Sequence, residues 1–163
     1  MDAFAAVLSR VDGRWDAAEV SIDDCESVSD FADLVRDVEG EVRLLLIEQD
    51  DEFAVIVRVD DSEQDPRAFL SDGHAADEYP LAAIFADELV EIGGEDVDEE
   101  LISDTAPVHD SAPFGDANVV EDLGTSPTEL LALAAHEGTL PIDILTAVCE
   151  KAGCGDQLDD LRA

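Results

Sequence analysis

The chain has 163 residues, 46% of them apolar, and sets 43 acidic side chains against 8 basic ones, a formal net charge of −35. That apolar fraction is ordinary for a folded protein, and a chain of this length buries roughly two-thirds of its unfolded surface without a metal or disulfide staple. With no basic patch to release counterions from phosphates, neither nucleic acid nor an anionic membrane is an expected direct ligand.

The first elements are strands. "AFAAVLSRV" (3 to 11), "DG" at 12 and 13, and "RWDAAEVSI" read as a hairpin. Phe4, Ala6 and Leu8 share one face of the first strand, and Trp15 and Ala17 one face of the second. In "SVSDFADLVRDV", Val28, Phe31, Ala32, Val35 and Val38 recur at helical spacing, and Ser27 or Ser29 can accept from the first-turn amides. Asp30 and Asp33 sit near the positive end of that helix dipole, and Gly40 is a natural stop. "EVRLLLIEQ" (41 to 49) and "EFAVIVRVD" (52 to 60) flank a tight turn at Asp50 and Asp51. Both are apolar on both faces, which places this hairpin at the centre of the sheet. "PRAFLS" predicts a fifth strand with Pro66 at its start. "HAADEYPLAAIFADEL" predicts a helix broken or restarted at Pro80, with "AAIFA" as a short strand the alternative.

From about residue 90 the periodicity stops. "EIGGEDVDEELISDTAPVHDSAP" has a Gly pair, two prolines and scattered acids, so residues 91 to 112 are expected to be an acidic flexible linker with one helical turn at "DEELI". Order resumes with "GDANVVEDLG", a short helix ending at Gly124. "SPTELLALAAHEG" follows, with Ser126, Pro127 and Glu129 at capping positions. "PIDILTAVCEKAG" carries an apolar stripe of Ile142, Leu145, Cys149 and Ala152, and "DQLDDL" closes the chain. The expected class is α+β: an antiparallel sheet with one or two helices in residues 1 to 90, the acidic linker, and a small all-α module of three or four short helices in residues 113 to 163.

Residues 68 to 150 hold 20 acids and no Lys or Arg, so these carboxylates must face water, cations or a basic partner. A salt-rich cytoplasm, or a genome that favours Arg, Ala, Asp and Val, is a competing source of the same composition. Cys25, Cys149 and Cys154 are an odd number in a chain without a signal-peptide pattern, and the apolar runs are too short to span a bilayer. Reduced cysteines in a cytoplasmic protein are the expectation.

Zinc deaminases need His-x-Glu followed by Pro-Cys-x-x-Cys. Here His74, His109 and His136 are followed by Ala-Ala, Asp-Ser and Glu-Gly, and four residues separate Cys149 from Cys154. This chain is not such a deaminase. A zinc site from Cys149, Cys154 and a histidine competes with a plainer reading, in which Cys149 lies on a helix's apolar face and Cys154 near a helix end. Acids beside Cys25 raise its pKa and argue against a nucleophile there. The glycines at 93 and 94 lack the strand, Lys and helix of a phosphate loop. No catalytic residue, cofactor or metal is expected; the alternative is a small enzyme or ligand-binding protein whose site is invisible in sequence.

Arg58 and Arg67 stand among Asp60, Asp61, Asp65 and Asp72, in a chain with no further cation until Lys151. Two readings overlap. The arginines neutralise these carboxylates across adjacent strands, worth about 0.2–1 kcal/mol a pair, or they orient acids into a recognition surface. Arg58, Asp60, Asp65, Arg67 and Asp72 are therefore the candidate partner-binding residues.

The succession of "LSRVDGRWDAAEV", "DCESVSDFADLVRD", "LLLIEQDDEFAVIVRVD", "DPRAFLSD", an acidic spacer and "FGDANVVEDLGTSPTELLALAAHEGTL" resembles the tRNA adenosine deaminase-associated proteins of high-GC Gram-positive bacteria. The likeness spans nearly the whole chain, with a spacer shorter and less densely acidic than that family's long acidic tracts. It implies a tRNA adenosine deaminase as partner and carries over no catalytic residue. The resulting expectation is a non-enzymatic acidic interaction protein that meets a basic protein surface, as a scaffold or as a nucleic-acid mimic.

Overall fold

At the first turn Asp12 and Gly13 both have positive φ, 53° and 80°, the geometry whose twist matches that of the flanking strands. The turn joins β1 (Ala3–Val11) to β2 (Arg14–Glu19), with Arg10 opposite Trp15. The structure, a computed structural model, describes residues 3–22, 24–49, 52–59, 67–72, 75–76, 78–89, 113–135 and 140–162. After β2 come α1 (Val28–Arg36), β3 (Val42–Gln49), β4 (Phe53–Arg58), β5 (Arg67–Leu70) and α2 (Pro80–Glu88). A two-residue β6 (Phe114–Gly115), a 3-10 turn (Glu121–Leu123), α3 (Pro127–Ala135), α4 (Pro141–Ala152) and α5 (Gly155–Arg162) complete the chain.

The strands form one sheet in the order β2-β1-β3-β4-β5-β6, with every neighbouring pair antiparallel. The class is α+β. β2 and β3 both pair antiparallel with β1, so they run parallel to each other, and α1 carries the chain between them. The doubly apolar pattern of the central hairpin has a direct cause. Leu44, Leu46, Ala54 and Ile56 enter one core, and Leu45, Ile47, Phe53, Val55 and Val57 enter another on the opposite face.

The second of these faces is covered by α1 and α2. Ser27 caps α1 by accepting from the Asp30 amide at 3.3 Å, and Val28, Phe31, Ala32 and Val35 are buried, as the spacing predicts. Phe31 meets Phe85 of α2 with ring centroids 4.8 Å apart, and Phe53 of β4 meets Tyr79 at 5.5 Å. "AAIFA" is helical: Pro80 opens α2, where its missing amide hydrogen breaks no intrahelical bond.

The other face is covered by the 3-10 turn and by α3, α4 and α5. Val120, Leu130, Leu145, Val148 and Leu158 share one core with Leu8, Trp15, Leu44, Leu46 and Ile56. α3, α4 and α5 fall in the segment expected to be helical, and they lie on the sheet. Helices this short need an outside surface to bury an apolar stripe. The buried side of α4 is wider than the predicted stripe. Ile144, Leu145, Val148 and Cys149 are buried while Ile142 and Ala152 are only partly so, because the helix packs on both the sheet and α5.

The segment also opens differently from expectation. "GDANVVEDLG" forms turns and a 3-10 turn, preceded by β6, whose Phe114 and Gly115 pair with Leu70 and Phe69. Gly115 has φ +106°, and a Cβ there would run into the Ala68 carbonyl, so the close return of the chain to β5 depends on glycine. The expected linker at 91 to 112, with its "DEELI" turn, lies outside the described residues.

Candidate interaction surface

Arg58 ends β4, opposite Leu44 of β3 and Arg67 of β5. Its side chain is 3% exposed. Nη1 donates to the Val119 carbonyl at 2.9 Å and to Asp122 Oδ1 at 2.6 Å, and Nη2 donates to Asp122 Oδ2 at 2.9 Å. This planar fork on one carboxylate is the geometry that arginine satisfies and lysine does not. The described carboxylate partner thus lies on the 3-10 turn 64 positions onward, beyond the neighbouring aspartates that the sequence suggests. Hydrogen bonding from Arg58 holds the Asp122 carboxyl below its usual range, with partial burial opposing.

Arg67 is partly exposed, with Nη1 3.8 Å from Asp116 Oδ2, a looser pair. Asp72 is half-buried and has a partner. Asp60 and Asp65 lie outside the described residues. Of the five candidates, then, Arg58 is an internal group, Arg67 reaches solvent, and Asp72 sits just past β5.

Sequence reasoning missed Arg43. It lies on β3, buried on the face opposite Arg58, and donates from Nε to Val59 O at 3.1 Å and from Nη1 to Val38 O at 2.9 Å and Arg36 O at 3.3 Å. Two of those carbonyls belong to the C-terminal end of α1, where the helix dipole favours a cation. The available signal was an arginine inside the otherwise apolar inward pattern of "EVRLLLIEQ".

Three further cations pair with acids of the chain. Arg10 pairs with Glu41 at 3.7 Å and lies over the Trp15 ring, Arg36 pairs with Asp33 at 3.1 Å, and Lys151 pairs with Glu129 at 3.3 Å. With Arg43, Arg58 and Arg67, six of the chain's eight basic residues bind its own groups. The carboxylates do the opposite. Asp24, Glu26, Asp37 and Glu39 around α1, and Glu150, Asp156, Asp159 and Asp160 on α4 and α5, are exposed.

Among the described residues no three His, Cys, Asp or Glu side chains are grouped to hold a metal ion, and the three histidines lie outside those residues. Burial, then Asp30, Asp24 and Asp33, push the Cys25 thiol up, away from the thiolate that a nucleophile requires.

The family described as Rv3753c-like tRNA adenosine deaminase-associated protein matches residues 3–155. The chain belongs to this family. The match runs from β1 to the start of α5, so it takes in the sheet and elements on both of its faces. The deaminase-associated description names a companion of the deaminase and not the deaminase itself. No curated protein and no solved structure matches the chain. Among the described residues of this deaminase-associated protein, no helix is long and apolar enough to cross a membrane.

Proposed function

We propose that this is a non-enzymatic acidic interaction protein that meets a basic surface on a tRNA adenosine deaminase. The observation that carries the reading is the disposition of charge. Six of the eight basic residues engage the chain's own groups, while carboxylates around α1, α4 and α5 stand exposed. A deaminase that acts on tRNA needs a positive groove for the phosphates. Opposite charge speeds encounter with such a surface and suppresses wrong partners. Asp60, Asp65, Arg67 and Asp72 are the proposed contact residues. Arg58 acts from beneath, by holding the turn that carries Asp122.

A calorimetric titration of the protein against the deaminase at rising salt tests this. Affinity that falls as salt rises supports the electrostatic reading, and absence of binding at low salt overturns it. Addition of tRNA then separates the two modes: competition identifies a nucleic-acid mimic, and a ternary complex identifies a scaffold.

A further inference from the structure

We propose that Cys149 and Cys154 form a modification site, a buried dithiol that an oxidised low-molecular-weight thiol converts into an intramolecular disulfide. Cys149 lies in the last turn of α4, and Cys154 directly precedes α5. Between them Gly153 takes left-handed φ (+97°), and the amides of Gly153 and Cys154 both donate to the Cys149 carbonyl, at 2.9 and 2.8 Å. This helix ending turns the chain back so that the first and last residues of the loop bring their side chains together. Two apolar side chains usually make that contact; here two thiols do.

The bond from Cys154 N to Cys149 O limits the separation of the two residues. With the fixed covalent spans at each end it holds the Cα atoms within about 6.7 Å, inside the range in which disulfides close. The thiols are within hydrogen-bonding reach. The loop brings the two thiols together as a hydrogen-bonded pair, which holds one thiol up and draws the other down. Cys154 directly precedes α5, so it is the thiol uncovered first when that helix lifts and the first nucleophile.

The chemistry balances. The Cys154 thiolate attacks one sulfur of the small disulfide, whose S–S bond breaks and releases one thiolate. The Cys149 thiolate then attacks the Cys154 sulfur of the mixed disulfide and expels the second small thiolate. Two electrons pass from the protein to the reagent, and the two thiol protons go to the two released thiolates. Both cysteines are fully buried, so the reagent enters when α5, eight residues at the end of the chain, lifts from α4 and β2. Trp15, the only tryptophan, donates its indole N–H to the Ala152 carbonyl of the same loop at 3.2 Å and is a built-in reporter.

The test treats the reduced, folded protein with oxidised glutathione, then uses thiol counting, intact mass and peptide mapping. Two of the three free thiols should disappear, the link should map to Cys149 and Cys154, and neither should retain glutathione. Trp15 fluorescence should shift on oxidation and return with dithiothreitol. Cys25→Ser should behave like the parent, and Cys154→Ala should lose the fluorescence response. Survival of both buried thiols, reaction at Cys25 alone, or a link formed only in denaturant would overturn the proposal. The peptide map of the parent protein decides the matter even where Cys154→Ala fails to fold.

Discussion

On one side of the sheet the cover comes from within the first ninety residues: α1 and α2 close over Phe31, Phe85, Phe53 and Tyr79. On the other side the cover arrives from beyond residue 113 and is mostly aliphatic, with Leu130, Leu145, Val148 and Leu158 over Leu8, Leu44 and Ile56. Each side nonetheless carries the same device, an arginine from the central hairpin buried beneath the helices. Arg43 holds the carbonyls at the end of α1, and Arg58 holds the Val119 carbonyl and a carboxylate of the 3-10 turn that follows it. The difference follows from distance along the chain. A nearby helix delivers its own orphan carbonyls to an arginine, whereas a distant segment needs a directional anchor. A bidentate carboxylate supplies one.

The sharpest way to break this comparison is to hollow out each side in turn. Phe85→Ala should cost about 3–5 kcal/mol and Leu145→Ala about 2–5 kcal/mol. Urea denaturation followed by both circular dichroism and Trp15 fluorescence should give coincident transitions for each variant. Separate transitions would show that the two faces unfold independently.

Smaller effects sharpen the role of the arginines. Arg58→Met leaves the buried Val119 carbonyl without its donor and should cost about 1–3 kcal/mol. Arg10→Ala, at a partly exposed ion pair, should stay within about 0.5 kcal/mol. Equal thermal shifts for the two variants would remove Arg58 from its place as a clamp.

Acid should weaken the face covered from beyond residue 113 through the Arg58–Asp122 ion pair. The folded-state pKa of Asp122 lies below its unfolded value, near 3.9. The stabilisation it provides is therefore fully present above that pH and is lost as pH falls through the folded value. Asp122 is 64% exposed, so screening limits the effect to under about 1 kcal/mol. Melting temperatures from pH 5 down to pH 2 should fall slightly less steeply for Asp122→Asn than for the parent; identical slopes would contradict the pair. The smallest expected effect lies beside α1. Cys25 should react with iodoacetamide at pH 8 more slowly than free cysteine does, and Asp30→Asn should recover part of the rate.

The family resemblance was legible because the segments that carry it occur in order along the chain. The candidate surface was legible only in its composition. Of the named contacts, Arg67 and Asp72 lie in or beside β5 as their spacing suggests, and Arg58 reaches Asp122, 64 positions onward, which no local pattern announces. Arg43, one arginine in the otherwise apolar run of β3, reaches the carbonyls at the end of α1.

By itself the sequence determined the local elements. Alternation marked β1 and β2, doubly apolar runs marked β3 and β4, helical spacing with Ser27 marked α1, and Ser126, Pro127 and Pro141 marked the starts of α3 and α4. These depend on interactions within about four residues, which a short window contains. Only the tertiary structure decided the strand order, the return of β6 to β5, the two arginine clamps and the meeting of Trp15 with α4. Each of those joins distant parts of the chain, and its free energy belongs to the whole packed core and not to any one segment.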